Sequence, residues 1–579
     1  MFPDGPARGV NISGVPVGEA RFVANHLACK VENMVSNIQT VSMKLRDRHS
    51  QALWSVAYYC LQPKLQYWAQ HCTPAALAAA ADTFDAAMLQ TVHACAGCNI
   101  PDDSFALRRL RLPARMYGGG LRAIRDLAPA AFARAICQTI PRMADALGVV
   151  GAILPGFMPC LTRALGISIE AGATEIERLE AFARSGSSFG AAFQDACQLI
   201  QAEAPDAEEE PVRQILAAQA AQRRGVQRAL TRWRELKRMQ QLDVEIRALP
   251  ASDMRRAAWL NVDRFSTTWV TAWPTEDLQL SSPEFQGVVT FYFGLPRPAC
   301  SGRVGERIGN TRNVVDAHGV RLTTSILPGD GWRTQHDALK WRIIQDAKEM
   351  HVRMRPEVYG LFAASIPQAG RGGIDAMPAR KRQGLVPDFL LWAAFDGPER
   401  PLLFELKTLH YGRTTYPQHD MARCGAVARR ANALATEYAT KAREVDRRFC
   451  GTVNGHVGPV ETRLRAFEPV RGLVFGAWGE ASPHVTKLLA LAARTGAERH
   501  WRGMRCEEPS RAIGAIAWLL RRRWGLTALR EAARLKLDRL EWAGAGAVAA
   551  GQRRQNAGFA FAARARAAAG TLRNGPRAR

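Results

Sequence analysis

Three residues of this chain combine the types and spacing that phosphodiester chemistry needs. Pro387-Asp388 is followed, after 16 intervening residues, by Glu405-Leu406-Lys407. The apolar runs from Leu385 to Trp392 and from Leu402 to Leu406 flank Asp396-Gly397-Pro398-Glu399, a turn-forming group, so the segment predicts a β-hairpin. Side chains alternate faces along a strand, which puts Glu405 and Lys407 on one side. If the hairpin folds about Gly397-Pro398, Asp388 falls nearly opposite Lys407 and diagonal to Glu405. Two carboxylates so placed can hold Mg²⁺ or Mn²⁺, and an adjacent ammonium can orient water and stabilise charge building on phosphorus. The plain alternative is a surface ion triad on a hairpin. Against it, the flanking residues are strongly apolar, and charge placed in buried strands is costly without a use.

The elements that must position these residues are predicted as follows. From Phe22 to about Ile200 the pattern is helical, with apolar residues at three- and four-residue steps and Thr73-Pro74 suited to open a helix. Pro205 to Pro211 is acidic, framed by prolines and linker-like. Beyond it, Val226, Leu230, Trp233 and Leu236 form one stripe of a helix whose remainder is crowded with arginine and lysine, including Arg223, Arg224, Arg234 and Arg238. That helix either runs along phosphate or is a solvated surface helix. Residues 265–330 are Gly/Pro-rich with strand-like pieces such as Val288 to Phe293, and His336 to Met350 is helical. From Leu385 strands alternate with helices, then Arg511 to Trp542 is a long helical stretch. The expected organisation is a helical domain over 1–200, a connector over 201–330, an α/β domain with a small mixed sheet flanked by helices over 331–545, and a basic tail over 546–579.

Composition narrows the partners. Of 579 residues, 78 are Lys or Arg and 53 are Asp or Glu, a formal net charge of +25, which points to a polyanion. No membrane span is expected: the best stretch, Ala146 to Thr162, has 17 uncharged residues broken by two prolines, short of the roughly 20 a span needs. The opening Met1-Phe2-Pro3-Asp4-Gly5 has no signal-peptide pattern. Twelve scattered cysteines fit reduced thiols, so an intracellular and, for a DNA partner, nuclear location is expected. His93, Cys95 and Cys98, with Cys72 or His71, make an incomplete zinc set, and zinc is not expected there.

Pro387-Asp388 and Glu405-Leu406-Lys407 together resemble the PD-(D/E)XK motif of restriction-like endonucleases. The resemblance implies a small mixed sheet flanked by helices, Mg²⁺-dependent cleavage of DNA, Asp388 and Glu405 as metal ligands and Lys407 beside the attacking water. It also implies an upstream acid, for which Glu357 is best placed and Glu349 second. A residue on the helix after the Glu-x-Lys strand is implied too, with Lys441 favoured in Glu437-Tyr438-Ala439-Thr440-Lys441. The first half resembles the thumb and connector that follow the palm in retrotransposon reverse transcriptases. The residues carrying this are Gly14-Val15-Pro16-Val17-Gly18, the segment Cys60 to Tyr67, and Arg111-Leu112-Pro113 with its glycine run. Non-LTR elements of one type carry a restriction-like nuclease downstream, so the order fits. No Tyr-x-Asp-Asp with a polymerase context occurs, so polymerisation would fall to a separate portion of the element. A zinc segment often precedes the nuclease, but Cys300, His318 and His336 lack the partner cysteines. The expectation is therefore a retroelement-derived protein that binds DNA or an RNA–DNA heteroduplex and cuts DNA to prime reverse transcription. Its rivals are a non-catalytic nucleic-acid-binding fragment and an unrelated helical scaffold with a chance motif.

Overall fold

The structure is a computed structural model, described here for residues 8–153, 156, 159, 162, 167, 173–202, 211–220, 225–329, 331–357, 361–375, 386–393, 399–412, 414–417 and 422–544. Residues 205–210, Arg223, Arg224, residues 394–398, where the turn is expected, and residues 546–579 lie outside these residues. The described residues are mostly helical, with a four-stranded mixed sheet and a separate hairpin. None of the described helices is long and apolar enough to cross a membrane.

The chain divides into two compact units, Met1–Leu249 and Pro250–Arg579, instead of the expected four segments. Packing explains the difference. The basic helix ending at Ala248 buries Val226 and Leu230 against Phe132, Ile136 and Phe193 of the first unit. Residues near 300–327 bury Cys300, Ile308 and Leu322 against Leu540 and Trp542 of the second.

The first unit opens with strands β1 (Gly9–Ile12) and β2 (Val15–Gly18), antiparallel about Ser13-Gly14. Both turn residues have positive φ, 51° and 83°, the signature of a tight two-residue hairpin that glycine permits. Tyr67 Oη and Trp68 Nε1 donate to the carbonyls of Ser13 and Gly14 at 2.7 and 3.0 Å, pinning this tip. The principal helices are α1 (Ala20–Leu45), α2 (Pro74–Ala96), α3 (Ile124–Ile153), α4 (Ser188–Gln201) and α5 (Val226–Ala248). Thr73 caps α2 as its spacing predicts, accepting Ala76 N–H, and Gly97 closes it with φ 70°.

In the second unit, α6 (Ser282–Phe293) replaces the strand expected at Val288 to Phe293. Ser281 and Glu284 form a capping box with Pro283 in the first turn, and this start signal decides the helix over the β-branched content. Helix α7 (Gly331–Glu349) then leads into β3 (Met354–Pro356), β4 (Phe389–Ala393) and β5 (Arg400–Thr408). Helix α8 (Gly425–Phe449) crosses to β6 (Arg471–Phe475), and α9 (Pro483–His500) and α10 (Pro509–Leu540) follow. The sheet order is β3-β4-β5-β6, antiparallel except for the parallel β5–β6 pair.

Period-two alternation buries both faces of this sheet. Phe389, Leu391, Leu402, Phe404, Leu406 and Leu473 pack with residues of α7, α9 and α10. Leu390 and Leu403 pack with Tyr438, Ala442 and Val445 of α8. The expected hairpin is present, but its register runs Phe389↔Phe404 through Ala393↔Arg400, so Asp388 stands across from Glu405 and not from Lys407. A two-residue shift keeps each side chain on its face, so hydrophobic alternation could not choose between the registers.

Candidate active site

Proline explains why β4 stops pairing where it does. Two positions beyond Phe389↔Phe404 the register would set Pro387 against Leu406, and Pro387 has no N–H to give. Leu406 finds other partners: its N–H donates to Asp388 Oδ2 at 2.9 Å, and its carbonyl accepts from His336 Nε2 at 3.2 Å. The Pro-Asp pair thus ends the ladder and turns a carboxylate into the gap.

Asp388 is buried and has two cationic neighbours from α7. Lys340 Nζ donates to Asp388 Oδ1 at 2.7 Å and to Glu357 Oε1 at 2.9 Å, while His336 Nε2 lies 3.4 Å from Asp388 Oδ2. Burial alone would raise the Asp388 pKa, but His336 and Lys340 outweigh it and hold the carboxyl well below the usual range. Burial would likewise lower the His336 pKa, yet Asp337 and Asp388 lift it to about 9, so its ring carries a proton at neutral pH and both nitrogens donate.

Glu405 is buried on the face toward α8. Tyr438 Oη donates to its Oε2 at 2.7 Å, and Lys407 Nζ donates to its Oε1. Its pKa shifts the opposite way to that of Asp388: burial raises it and the charge of Asp388 adds to the rise, against the counter-effects of Lys407 and Tyr438. Burial and the neighbouring Glu405 charge hold the Tyr438 phenol protonated, so it remains a donor. The side chains of Lys407 and Glu357 are 35% and 40% exposed, which gives a buried floor of Asp388, Glu405 and Lys340 with a solvent-facing rim.

Of the residues the motif singles out, Asp388, Glu405, Lys407 and Glu357 come together, Glu357 through Lys340. Lys441 does not join them. It is exposed one turn beyond Tyr438 and makes no hydrogen bond or ion pair with the site among the described residues. The contributor from α8 is Tyr438, because it lies in the buried stripe Val427, Ala431, Leu434, Tyr438, Ala442 and Lys441 lies off it. Glu349, the second choice for the upstream acid, pairs instead with Arg523 at 2.8 Å. Cys300 is buried among apolar side chains and His318 Nδ1 faces the Leu295 carbonyl at 3.0 Å, so they do not gather with His336.

Sequence reasoning missed Lys340 and treated His336 as a zinc remnant. A signal was present: His336, Lys340, Ile343 and Ala347 follow helical spacing, and all four fall on the stripe of α7 that turns inward. Polar residues on a buried stripe need partners.

The donor set suits a hard divalent cation. Among the described residues no three His, Cys, Asp or Glu side chains form a ready metal cage. Mg²⁺, however, is commonly held by one or two carboxylates, with water and substrate phosphate completing its shell. Asp388 and Glu405 supply two such carboxylates on one side of adjacent strands. No protein-family model matches this chain, and no curated protein sequence matches it.

Proposed function

We propose that the second unit is a restriction-like nuclease domain that hydrolyses a DNA phosphodiester with Mg²⁺ or Mn²⁺. The observation that carries this reading is the register that sets Asp388 across from Glu405 with Lys407 beside them, at a rim open to solvent. The small mixed sheet with helices on both faces supports it.

Asp388 and Glu405 would hold the metal, which when bound polarises the phosphate and lowers the pKa of water. The rest is the work of the chain's own groups. His336, Lys340 and the Leu406 N–H keep Asp388 ionised and fixed. Tyr438 orients Glu405 from the α8 side. Lys407, reaching Glu405 from the exposed edge, stands where an ammonium can position water and offset negative charge on phosphorus. The cut would leave a 3′-hydroxyl able to prime reverse transcription, in keeping with a retroelement origin and a nuclear site of action. The +25 charge supports nucleic acid as the partner.

A second reading, a binding fragment without catalysis, is favoured by one observation. Both Asp388 oxygens already have protein partners in Lys340 and Leu406. The two are separated by incubating the whole chain with supercoiled plasmid and Mg²⁺ or Mn²⁺. Relaxed product that disappears with chelator supports the nuclease, whereas a gel shift without product supports the binding fragment.

A further inference from the structure

The first unit holds a separate concentration of charge. Five arginines (Arg108, Arg111, Arg122, Arg234 and Arg238) line a cavity of about 250 Å³. That space is many times what one water needs, and it approaches the roughly 300–1,000 Å³ of small-ligand clefts. Three segments build it: the helix Phe105–Arg111, the stretch from Arg122 into α3, and one face of α5 on which Thr231, Arg234 and Arg238 recur at helical spacing.

Internal ion pairs do not exhaust this charge. Asp126 and Glu235 are the acids of the lining, so the arginines outnumber them by three. Arg238 pairs with Asp126 at 2.7 Å and Arg122 with Glu235 at 3.0 Å, while Arg108 is held at the rim by Glu245 at 2.6 Å. Arg111, half-buried, makes no ion pair among the described residues. Burial would raise the pKa of Asp126, but Arg238, Arg234 and Arg111 hold it low, which is what a positive field does to a carboxyl. Thr231 adds an independent sign: it lines the cavity, is buried, and its hydroxyl has no hydrogen-bond partner among the described residues. A buried hydroxyl left unpaired is costly, and a ligand oxygen would satisfy it.

A phosphate group matches these features. Its several oxygens accept from guanidinium forks and from a hydroxyl together, and its double charge answers the excess of arginine better than a carboxylate would. We propose that this cavity binds the phosphate group of a nucleotide, either free or at the end of a strand. The proposal stands on the first unit alone and is independent of the roles given to Asp388 and Glu405.

The test is calorimetric titration of the whole chain, at fixed ionic strength, with four probes: inorganic phosphate, deoxyadenosine monophosphate, a 5′-phosphorylated oligonucleotide and its 5′-hydroxyl twin. Saturable binding of a phosphate probe is expected. Arg111→Gln should weaken it about tenfold, as loss of a charge-assisted contact does, and Thr231→Val a few-fold, with thermal unfolding unchanged in both. A phosphorylated strand that outbinds its twin, with the difference erased in Arg111→Gln, assigns the phosphate to a strand end. Mononucleotide binding as tight as the strand assigns it to a free nucleotide. No saturable binding of any phosphate probe, or binding that neither variant weakens, overturns the proposal.

Discussion

Lys340 Nζ lies 2.7 Å from Asp388 Oδ1, and the same ammonium reaches Glu357 Oε1 at 2.9 Å. One side chain of α7 therefore ties together two acids that approach it from different strand ends. Lys340 and Asp388 are both buried, so the pair acts at low dielectric, where losing one partner strands the other charge.

Lys340→Met should destabilise the chain by about 3–5 kcal/mol, the cost of breaking a buried pair from one side. Urea unfolding followed by tryptophan fluorescence measures this. A midpoint equal to that of the native chain would show that His336 and Leu406 suffice to hold Asp388.

Tyr438→Phe should raise the Glu405 pKa further, because the phenol hydrogen bond favours the ionised carboxylate. The expected result is a loss of about 1–2 kcal/mol and an acid limb of the cleavage profile displaced to higher pH. Lys441→Ala, outside the site, should leave that limb where it was.

Glu480 sets a pH dependence away from the site. It is fully buried, accepts from Tyr416 Oη at 2.7 Å, and its pKa is pushed up to about 8, by burial first and also by Asp263. Between roughly pH 4.5 and 8 the folded chain then holds a proton that the unfolded chain has released, so this group makes stability fall as pH rises through that window. Tyr416 and Cys424 face it as well, but burial raises their pKa values far above the window. Asp263, also raised by burial, acts in the same direction as Glu480. Glu480→Gln should flatten the stability profile between pH 5 and 8. An unchanged slope in urea midpoints would remove Glu480 as its source.

The charge excess should appear in the salt dependence of nucleic-acid binding. Engagement of about six phosphates predicts an affinity loss near 10³ between 50 and 200 mM salt. Fluorescence anisotropy on duplex and heteroduplex checks this, and affinity flat across that range would leave the +25 charge without its partner.

How much of this was legible beforehand follows from range. The Asp388–Glu405 juxtaposition could be read because period-two alternation and a short connection fix which residues share a face. The same alternation is blind to a two-residue slip, so the register came out wrong while the face came out right. His336 and Lys340 lie about fifty residues before Asp388, and nothing local connects them to it. At α8, Lys441 looked the better chemical partner, but the helical phase turns Tyr438 inward. The strand expected at Val288 to Phe293 gave way to the capping box at Ser281, a start signal seven residues before that run begins.

Metal-dependent cleavage of plasmid by Asp388→Ala, Glu405→Ala and Lys407→Ala, each run beside a gel shift, tests the assignment most directly. The carboxylate variants should lose cutting almost completely, since each removes a proposed metal ligand. Lys407→Ala should fall by about 10²–10³ in rate, the usual effect of losing a group that stabilises developing charge. All three should still shift DNA. Cutting undiminished in both Asp388→Ala and Glu405→Ala would contradict a nuclease centred on this pair.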